Sequence, residues 1–260
     1  MAKIMAIANQ KGGVGKTTTA VNLSACIAEN IGDDKRVLAL DFDPQGNMTS
    51  GLGVKDRAEH SIYDVIINGL PTKDAILHTV VPGLDIIPAE IDLSGAEVEL
   101  VTMMAREQVL KRVLEPLREK YEYILIDCPP SLGLLTVNAL TAADTLLVPI
   151  QCEYYALEGL SQLMNTVKLV KMHLNAQLQV EGVVLTMYDA RTNLSAQVVG
   201  EVKKFFKNKV YNTVIPRSIR LGEAPSYGLP ITMYDPKCTG AQAYCALAEE
   251  LLHRDGEYEE

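Results

Sequence analysis

Residues 11–19, with the sequence KGGVGKTTT, form the most chemically specific stretch of the chain. Three glycines let the backbone approach an anion closely, and a run with helical periodicity follows at 17–30. A glycine-rich turn between a strand and a helix directs backbone N–H groups and the positive end of the helix dipole at one point. This geometry favours a bound phosphate. The predicted binding residues are Lys11, Gly12, Gly13, Val14, Gly15, Lys16, Thr17 and Thr18.

Two side chains in this loop indicate a nucleoside triphosphate with Mg²⁺. Lys16 supplies a positive charge to the β- and γ-phosphates, and the Thr17 hydroxyl is placed to ligate the metal ion. The loop departs from the common G-x-x-x-x-G-K-[ST] pattern, because Gln10 stands where the first glycine belongs. A dinucleotide site is the competing interpretation, but its G-x-G-x-x-G pattern needs a glycine where this chain has Thr18.

Three aspartates follow predicted strands. Asp41 and Asp43 come after the strand at 37–40, and Asp127 comes after the strand at 123–126. In an open α/β sheet, ligands lie at the carboxyl ends of the strands, so these carboxylates should converge near the phosphates. Each is a candidate to hold Mg²⁺ or a water molecule, although an isolated aspartate at such a position more often caps a turn.

Short apolar runs alternate with longer helical patterns along the chain. Continuous apolar strands with helices between them predict a doubly wound, mostly parallel α/β sheet flanked by helices. The predicted strands are 4–8, 37–40, 84–87, 123–126, 145–150 and 180–187. The predicted helices are 17–30, 93–119, 133–142, 155–173, 195–207 and 240–252. Pro116 should end or kink the second of these helices.

Composition indicates a globular chain. The chain has 260 residues, of which 48% are hydrophobic, and this is too apolar for a disordered protein. We expect one domain over residues 1–254 and a frayed acidic tail over 255–260. No uncharged run reaches the length of about 20 residues that a membrane span needs, and the N-terminus lacks the apolar region of a signal peptide. These features predict a cytoplasmic protein.

The five cysteines are scattered, and no C-x-x-C motif or nearby pair of histidines accompanies them. This pattern favours buried thiols over zinc or iron–sulfur ligation.

At the level of motifs, the chain resembles the ParA/Soj family of deviant Walker A ATPases, which partition chromosomes and plasmids. Besides KGGVGKTTT, the resemblance includes DFDPQGN at 41–47, YILIDCPPSLGLLTVNAL at 123–140, LTMYDARTNLS at 185–195 and IPRSIRLGEAPSYGLPI at 215–231. These motifs occur in the family's order and span nearly the whole chain. Because strand one begins at Ile4, no room remains for an N-terminal helix-turn-helix extension, and the chain is most similar to the short chromosomal Soj type.

The resemblance implies roles for several residues. Lys11 would reach across a nucleotide-sandwich dimer to the partner's phosphates, and Asp43 would orient the attacking water. Lys16 binds the phosphates, Thr17 binds Mg²⁺ and Asp127 holds the metal through water. The segment near Pro216 would flank the adenine ring.

The resemblance also implies partners: non-specific duplex DNA, bound by an ATP-dependent homodimer, and a ParB-type DNA-binding protein that stimulates a slow ATPase. The segment 189–220 carries a net charge of +5 and is the candidate DNA surface, although its lysines could simply form the solvated face of a helix. The candidate DNA contacts are Arg191, Arg217 and Arg220. ATP-bound protein would then be associated with the nucleoid.

Two other classes stay open. A MinD-like positioning ATPase would be recruited to a membrane by a basic amphipathic C-terminal helix, but the tail of this chain is acidic and anionic lipid would repel it. A redox or metal carrier would need a cluster ligated by cysteines.

Overall fold

The computed structural model describes residues 1–32, 34–153 and 160–257. In these ranges eight strands form one sheet in the order β3-β4-β2-β5-β1-β6-β7-β8. Every strand pair is parallel except β3 with β4. The strands are β1 (Lys3–Ile7), β2 (Val37–Asp41), β3 (Leu77–His78), β4 (Leu84–Ile87), β5 (Tyr123–Asp127), β6 (Thr145–Gln151), β7 (Gln179–Tyr188) and β8 (Val210–Pro216).

Helices cover both faces of the sheet. Along β1, Met5 and Ile7 pack against α1 and α11 on one face, whereas Ile4 and Ala6 pack toward α6 and α7 on the other. The α-helices of the described ranges are α1 (Lys16–Asn30), α2 (Asn47–Gly51), α3 (Ile62–Ile66), α4 (Leu93–Glu99), α5 (Val109–Leu114), α6 (Leu134–Ala142), α7 (Leu160–His173), α8 (Asn193–Phe206), α9 (Ile219–Glu223), α10 (Ile231–Tyr234) and α11 (Thr239–Glu257). Because successive strand residues face opposite layers, both must be apolar, which explains the uninterrupted apolar runs. The predicted doubly wound sheet is confirmed.

All six predicted strands are present, with ends within one residue of the prediction. Two edge strands, β3 and β8, were not predicted. β3 has only two residues, and β8 mixes buried positions with the exposed Asn212, so neither shows a continuous apolar run. An edge strand pairs with only one neighbouring strand, so its outer side can carry polar residues.

The predicted helix at 93–119 is broken into α4, α5 and short 3₁₀ turns. One of these turns, Glu115–Leu117, contains Pro116, so α5 ends beside the proline as predicted. The first part of the predicted helix 155–173 lies outside the described residues, and α7 is described from Leu160.

The last helix extends further than the sequence indicated. α11 continues to Glu257, where a frayed end was predicted from Asp255. The Asp255 carboxylate accepts hydrogen bonds from Lys3 Nζ at 2.5 Å and from Tyr123 Oη at 2.7 Å. These contacts hold the helix end against the first residues of β1 and β5. Residues 258–260 lie outside the described ranges.

One side chain of α11 also covers the edge strand β8. The Glu250 carboxylate accepts hydrogen bonds from the backbone N–H groups of Asn212 and Thr213, both at 2.9 Å. It also accepts one from the Thr213 hydroxyl at 2.8 Å. These bonds hold the pKa of Glu250 below its ordinary value, against the opposing effect of burial. The helix is thus joined to the sheet by a charge-assisted contact.

Candidate functional site

The candidate site lies where β1, β5 and β2 end. In the sheet register Ile7 lies opposite Asp127, and Asp127 lies opposite Asp41. The chain leaves β1 directly into the glycine-rich loop. The predicted convergence of this loop with the strand-end carboxylates is therefore present.

The loop backbone adopts the conformation that glycine permits. Gly13 and Gly15 have φ of 73° and 84°, in the left-handed region, and Lys16 begins α1. Gly15 is the N-cap of α1, and no side chain caps this end of the helix. The first N–H groups of α1 are thus left for an anion.

Two buried side chains that the sequence analysis missed fix the loop. Asn9 donates to the Pro149 carbonyl of β6 at 2.7 Å and accepts from Lys11 N at 3.0 Å. Thr186 of β7 donates its hydroxyl proton to the Val14 carbonyl at 2.8 Å. The loop is therefore held in shape by the neighbouring strands. Asn9 directly precedes the motif and Thr186 lies in LTMYDARTNLS, but only the fold shows that they contact the loop.

Lys16 is buried, at 6% exposure, and its Nζ donates to the Lys11 carbonyl at 3.1 Å. Burial lowers the pKa of Lys16, and the nearby Asp127, Cys128 and Asp43 oppose this shift. No carboxylate of the described residues forms a salt bridge with the ammonium group. A buried cation without a salt bridge would be stabilised by an incoming phosphate.

Asp127 is fully buried, and neither of its carboxylate oxygens accepts a hydrogen bond of good geometry from the described residues. Burial raises its pKa well above the ordinary value, and the charge of Asp41 adds to the shift. The Thr17 hydroxyl and Lys16 act in the opposite direction. Oxygen ligands of this kind suit Mg²⁺, so the residues fit the predicted metal. An unsatisfied buried carboxylate is costly without such a partner.

Unlike Asp127, Asp41 and Asp43 accept hydrogen bonds with their carboxylate oxygens. Asp41 accepts hydrogen bonds from Thr49 N at 2.8 Å and Thr49 Oγ1 at 2.7 Å, and from Asp43 N at 3.3 Å. Burial raises the pKa of Asp41 to about 6 despite these bonds. Asp43 accepts from Gln45 N at 3.0 Å within the turn that leads to α2. Asp41 therefore has less free capacity for a metal than Asp127, and it anchors the turn that carries Asp43.

A cavity of about 280 Å³ extends from the glycine-rich loop. The predicted base-flanking residue Pro216 lines it, together with Gly15, Thr18, Thr186, Met187 and Tyr244. Met187 has a φ of 51°, which is strained for a residue other than glycine, and such strain is often found at ligand sites. A larger cavity, of about 490 Å³, lies beside the Asp43 turn and is lined by Pro44, Gln45 and Gly46, but not by the glycine-rich loop.

The three candidate DNA-binding arginines are exposed, and each pairs with an acid of the same chain. Arg191 binds Asp189 at 2.7 Å, Arg217 binds Glu153 at 3.4 Å, and Arg220 binds Glu223 at 2.9 Å. Hydrogen bonds from Arg191 lower the pKa of Asp189 to about 2, and the positive charge of Arg217 adds to this shift. Arg217 also lines the 280 Å³ cavity, so one of the three candidate arginines lies beside it.

Comparison with known proteins agrees with this geometry. A family model described as AAA domain matches residues 2–180. The sporulation initiation inhibitor protein Soj of Bacillus subtilis is 62% identical over 252 residues, which cover 96% of this chain and 98% of Soj. The chromosome partitioning protein ParA of Myxococcus xanthus is 53% identical and is matched over 97% of this chain and 89% of its own length.

The chain belongs to the ParA/Soj family of AAA-domain ATPases. As a member of this family it is an ATP hydrolase with ATP and Mg²⁺ as cofactors. One similar solved structure is described as cobyrinic acid a,c-diamide synthase from Mycobacterium smegmatis with bound ATP analogue and magnesium. It is 38% identical, with a TM-score of 0.84, and the match covers 97% of this chain and 95% of that one.

In the part of the chain that the structure describes, no helix has both the length and the apolar character that crossing a lipid bilayer requires.

Replacing Asp127 by Asn should stabilise the nucleotide-free protein by about 1–3 kcal/mol, because burial disfavours the carboxylate charge more than the Thr17 hydroxyl and Lys16 favour it. The raised pKa means that the carboxylate is neutral in the folded state at low pH and charged at high pH. The difference in free energy of unfolding between the variant and the unmodified chain should therefore grow as the pH rises through the raised pKa of Asp127. Urea unfolding at pH 5.5 and pH 8 measures it.

Asp85 is the matched control for this substitution. It is equally buried, but it accepts hydrogen bonds from Arg36 and Tyr121. Asp85→Asn should lower the stability, because it weakens an existing ion pair. Loss of stability in Asp127→Asn as well would show that the folded protein stabilises the Asp127 carboxylate, which would contradict an unsatisfied buried group.

Thr186→Val should weaken the binding of an ATP analogue about three- to tenfold, because it removes the hydrogen bond to the Val14 carbonyl while keeping the side-chain shape. Isothermal titration calorimetry with Mg²⁺ measures the change. The control is Thr145→Val, since the Thr145 hydroxyl is buried and has no partner in the described residues. Equal affinity of the two variants would contradict a role for Thr186 in holding the loop.

Proposed function

We propose that this partitioning ATPase forms an ATP-bound sandwich dimer, binds duplex DNA without sequence preference and is reset when a ParB-type partner stimulates hydrolysis. The catalytic core is one domain over residues 1–254. The protein acts in the cytoplasm, and the ATP-bound form associates with the nucleoid. The partitioning names of Soj and ParA relatives support this proposal. Lys11 and the three exposed arginines, Arg191, Arg217 and Arg220, support it physically.

The observation that carries the proposal is that Lys11 has a fixed backbone and a side chain without a salt-bridge partner among the described residues. Its backbone is held on both sides, since its N–H donates to Asn9 Oδ1 and its carbonyl accepts from Lys16 Nζ. Its side chain is half-buried at the mouth of the loop and forms no salt bridge with a described residue. A fixed backbone with an uncommitted ammonium group suits contact with the phosphates of a second copy.

Within one copy, the remaining residues divide the chemistry. The loop amides from Gly12 to Thr18 and the Lys16 ammonium bind the phosphates, and Thr17 and Asp127 hold the metal, with Asp41 as a weaker candidate. The Mg²⁺ ion supplies positive charge that neutralises the phosphate oxygens. Asp43, held by its turn, orients the attacking water. Pro216 flanks the base. Phosphoryl transfer depends mainly on such positioning and charge stabilisation.

The three exposed arginines support the DNA-binding step. Arg191, Arg217 and Arg220 have side-chain exposures of 87%, 64% and 54%, so backbone phosphates can reach them. Their acidic partners reduce the local positive charge, which favours weak and salt-sensitive binding. Two copies in a dimer double the number of contacts, so dimerisation raises the avidity for DNA.

The membrane-recruited alternative gains no support from α11. In the last described turns of this helix, Arg254 donates to the Val210 carbonyl and Asp255 binds Lys3. The helix end is therefore packed against the sheet and has no basic face directed at a lipid surface.

Lys11→Ala should keep ATP binding within roughly tenfold but abolish ATP-dependent dimerisation. The substitution preserves both backbone contacts of residue 11 and removes the side chain beyond Cβ, including the ammonium charge. Sedimentation velocity with a slowly hydrolysed ATP analogue measures the dimer. Lys35→Ala is the control, because Lys35 is an exposed lysine paired with Glu122 before β2, at the opposite end of the strands from the phosphate loop. Dimers of unchanged stability would contradict the proposal that Lys11 contacts the phosphates bound to the second copy.

Duplex DNA should bind only with ATP, and the logarithm of its affinity should fall linearly with the logarithm of salt concentration. Arg191→Ala, Arg217→Ala and Arg220→Ala should each weaken binding uniformly across sequences and lower the salt slope by about 1 per copy of the arginine, or about 2 for the dimer. Fluorescence anisotropy at several salt concentrations measures both quantities, again with Lys35→Ala as control. Equal affinity with ADP and ATP would contradict the proposal.

A further inference from the structure

Two cysteines that are far apart in sequence meet between the first and last helices. The Sγ atoms of Cys26 in α1 and Cys245 in α11 are 3.7 Å apart, across a sequence separation of 219 residues. Cys26 is fully buried, whereas Cys245 is partly exposed. No spacing in the sequence indicates this contact, because the two cysteines lie at opposite ends of the chain.

The separation is small enough for a covalent bond. A disulfide has an S–S distance of about 2.05 Å, so the two sulfurs need to approach by roughly 1.7 Å. Small side-chain rotations produce movements of this size. α1 and α11 pack side by side in one apolar layer, with Ile27 and Leu247 in the same cluster, so the backbones already hold the two side chains next to each other.

The position of the pair connects it to the nucleotide site. Tyr244, the residue before Cys245, lines the 280 Å³ cavity, and its hydroxyl lies 3.2 Å from the Thr19 hydroxyl of α1. Lys16 and Thr17 begin the same helix that carries Cys26. A covalent bond between Cys26 and Cys245 would restrain the helix pair that forms this wall of the cavity.

We propose that Cys26 and Cys245 form a dithiol site that a small-molecule disulfide oxidises to an intramolecular disulfide, which fixes α1 to α11 and slows nucleotide exchange. The effect on exchange rests on the nucleotide site described above, whereas formation of the bond does not.

The chemistry has two balanced steps. The accessible Cys245 loses its proton and attacks one sulfur of the reagent, which forms a mixed disulfide and releases one reagent thiol. Cys26 then loses its proton and attacks the Cys245 sulfur, which closes the protein disulfide and releases the second reagent thiol. Two protein thiols thus lose two electrons and two protons, and one reagent disulfide is reduced to two thiols.

Burial determines which sulfur reacts first. Burial of Cys26, together with the neighbouring Cys245, Glu29 and Glu249, raises the pKa of the Cys26 thiol. A protonated thiol is a poor nucleophile, so the raised pKa and the burial of Cys26 leave the first attack on the reagent to the accessible Cys245. The later attack by Cys26 is intramolecular, and the 3.7 Å separation of the two sulfurs favours it despite the raised pKa.

The test treats the folded full chain with oxidised glutathione and maps peptides under non-reducing conditions. We expect a linked pair of peptides that contain Cys26 and Cys245, with the loss of two hydrogen atoms. Closing a loop of this length should raise the melting temperature by roughly 5–10 °C, and reduction should reverse the rise. Release of a fluorescent ADP analogue should be at least threefold slower in the oxidised chain.

Three variants make the test specific. Cys245→Ser and Cys26→Ala should each lose the linked peptide and the melting-temperature rise, and Cys245→Ser guards against misfolding caused by a change in the core. Cys238→Ser should behave as the unmodified chain, because Cys238 is partly exposed and accepts only a backbone hydrogen bond from Ala241.

Three results would overturn the proposal. These are a link that forms only after unfolding in urea, a linked chain with an unchanged melting temperature, and a linked chain with unchanged release of the ADP analogue. A reduced chain that binds no nucleotide would instead contradict the nucleotide site, while peptide mapping still decides whether the disulfide forms.

Discussion

Burial of opposite charges without direct pairing is the constraint on which the site depends. Lys16 and Asp127 lie at the end of a sheet whose strands are covered on both faces, so water cannot solvate them well. Burial lowers the pKa of Lys16 and raises that of Asp127, so in each case it opposes the charged form. A metal–triphosphate complex carries charges of both signs, so in the proposed function it would satisfy both groups at once. Binding would then recover free energy that folding alone leaves unfavourable, and it would couple ligand binding to the stability of the sheet.

The sequence predicted the parts of the molecule that local pattern controls. Strand ends, the glycine-rich turn and the position of Pro116 each follow from residue types next to one another in the chain. The roles of Asn9, Thr186 and Tyr244 could not be found in this way, because each depends on a contact between elements distant in sequence. Asp41 illustrates the same limit. Its place at a strand end suggested a metal ligand, but Thr49, eight residues further on, occupies much of its carboxylate.

The net charge of a sequence segment does not give the charge of the surface that it forms, because residues from elsewhere in the chain can pair with it. The segment 189–220 carries +5, but Glu153, Glu223 and Asp235 pair with its arginines from outside the segment. A phosphate that approaches these arginines must displace carboxylates, so each contact gains less than an unpaired arginine would give. In the proposed function, such weak contacts suit a protein that must leave DNA readily after hydrolysis. Arg217 lines the 280 Å³ cavity and is also one of these paired arginines, so the cavity and the candidate DNA surface share this residue.

The contact of Glu250 with β8 has a consequence for self-association. An edge strand normally offers unpaired N–H groups to the backbone of another molecule, and such pairing extends sheets into fibres. On β8, one carboxylate from α11 already accepts two of these N–H groups, and its negative charge would repel the carbonyl oxygens of an incoming strand. The opposite edge is the two-residue β3, which is too short to template much pairing. The molecule can thus reach a high local concentration with little tendency to aggregate edge to edge.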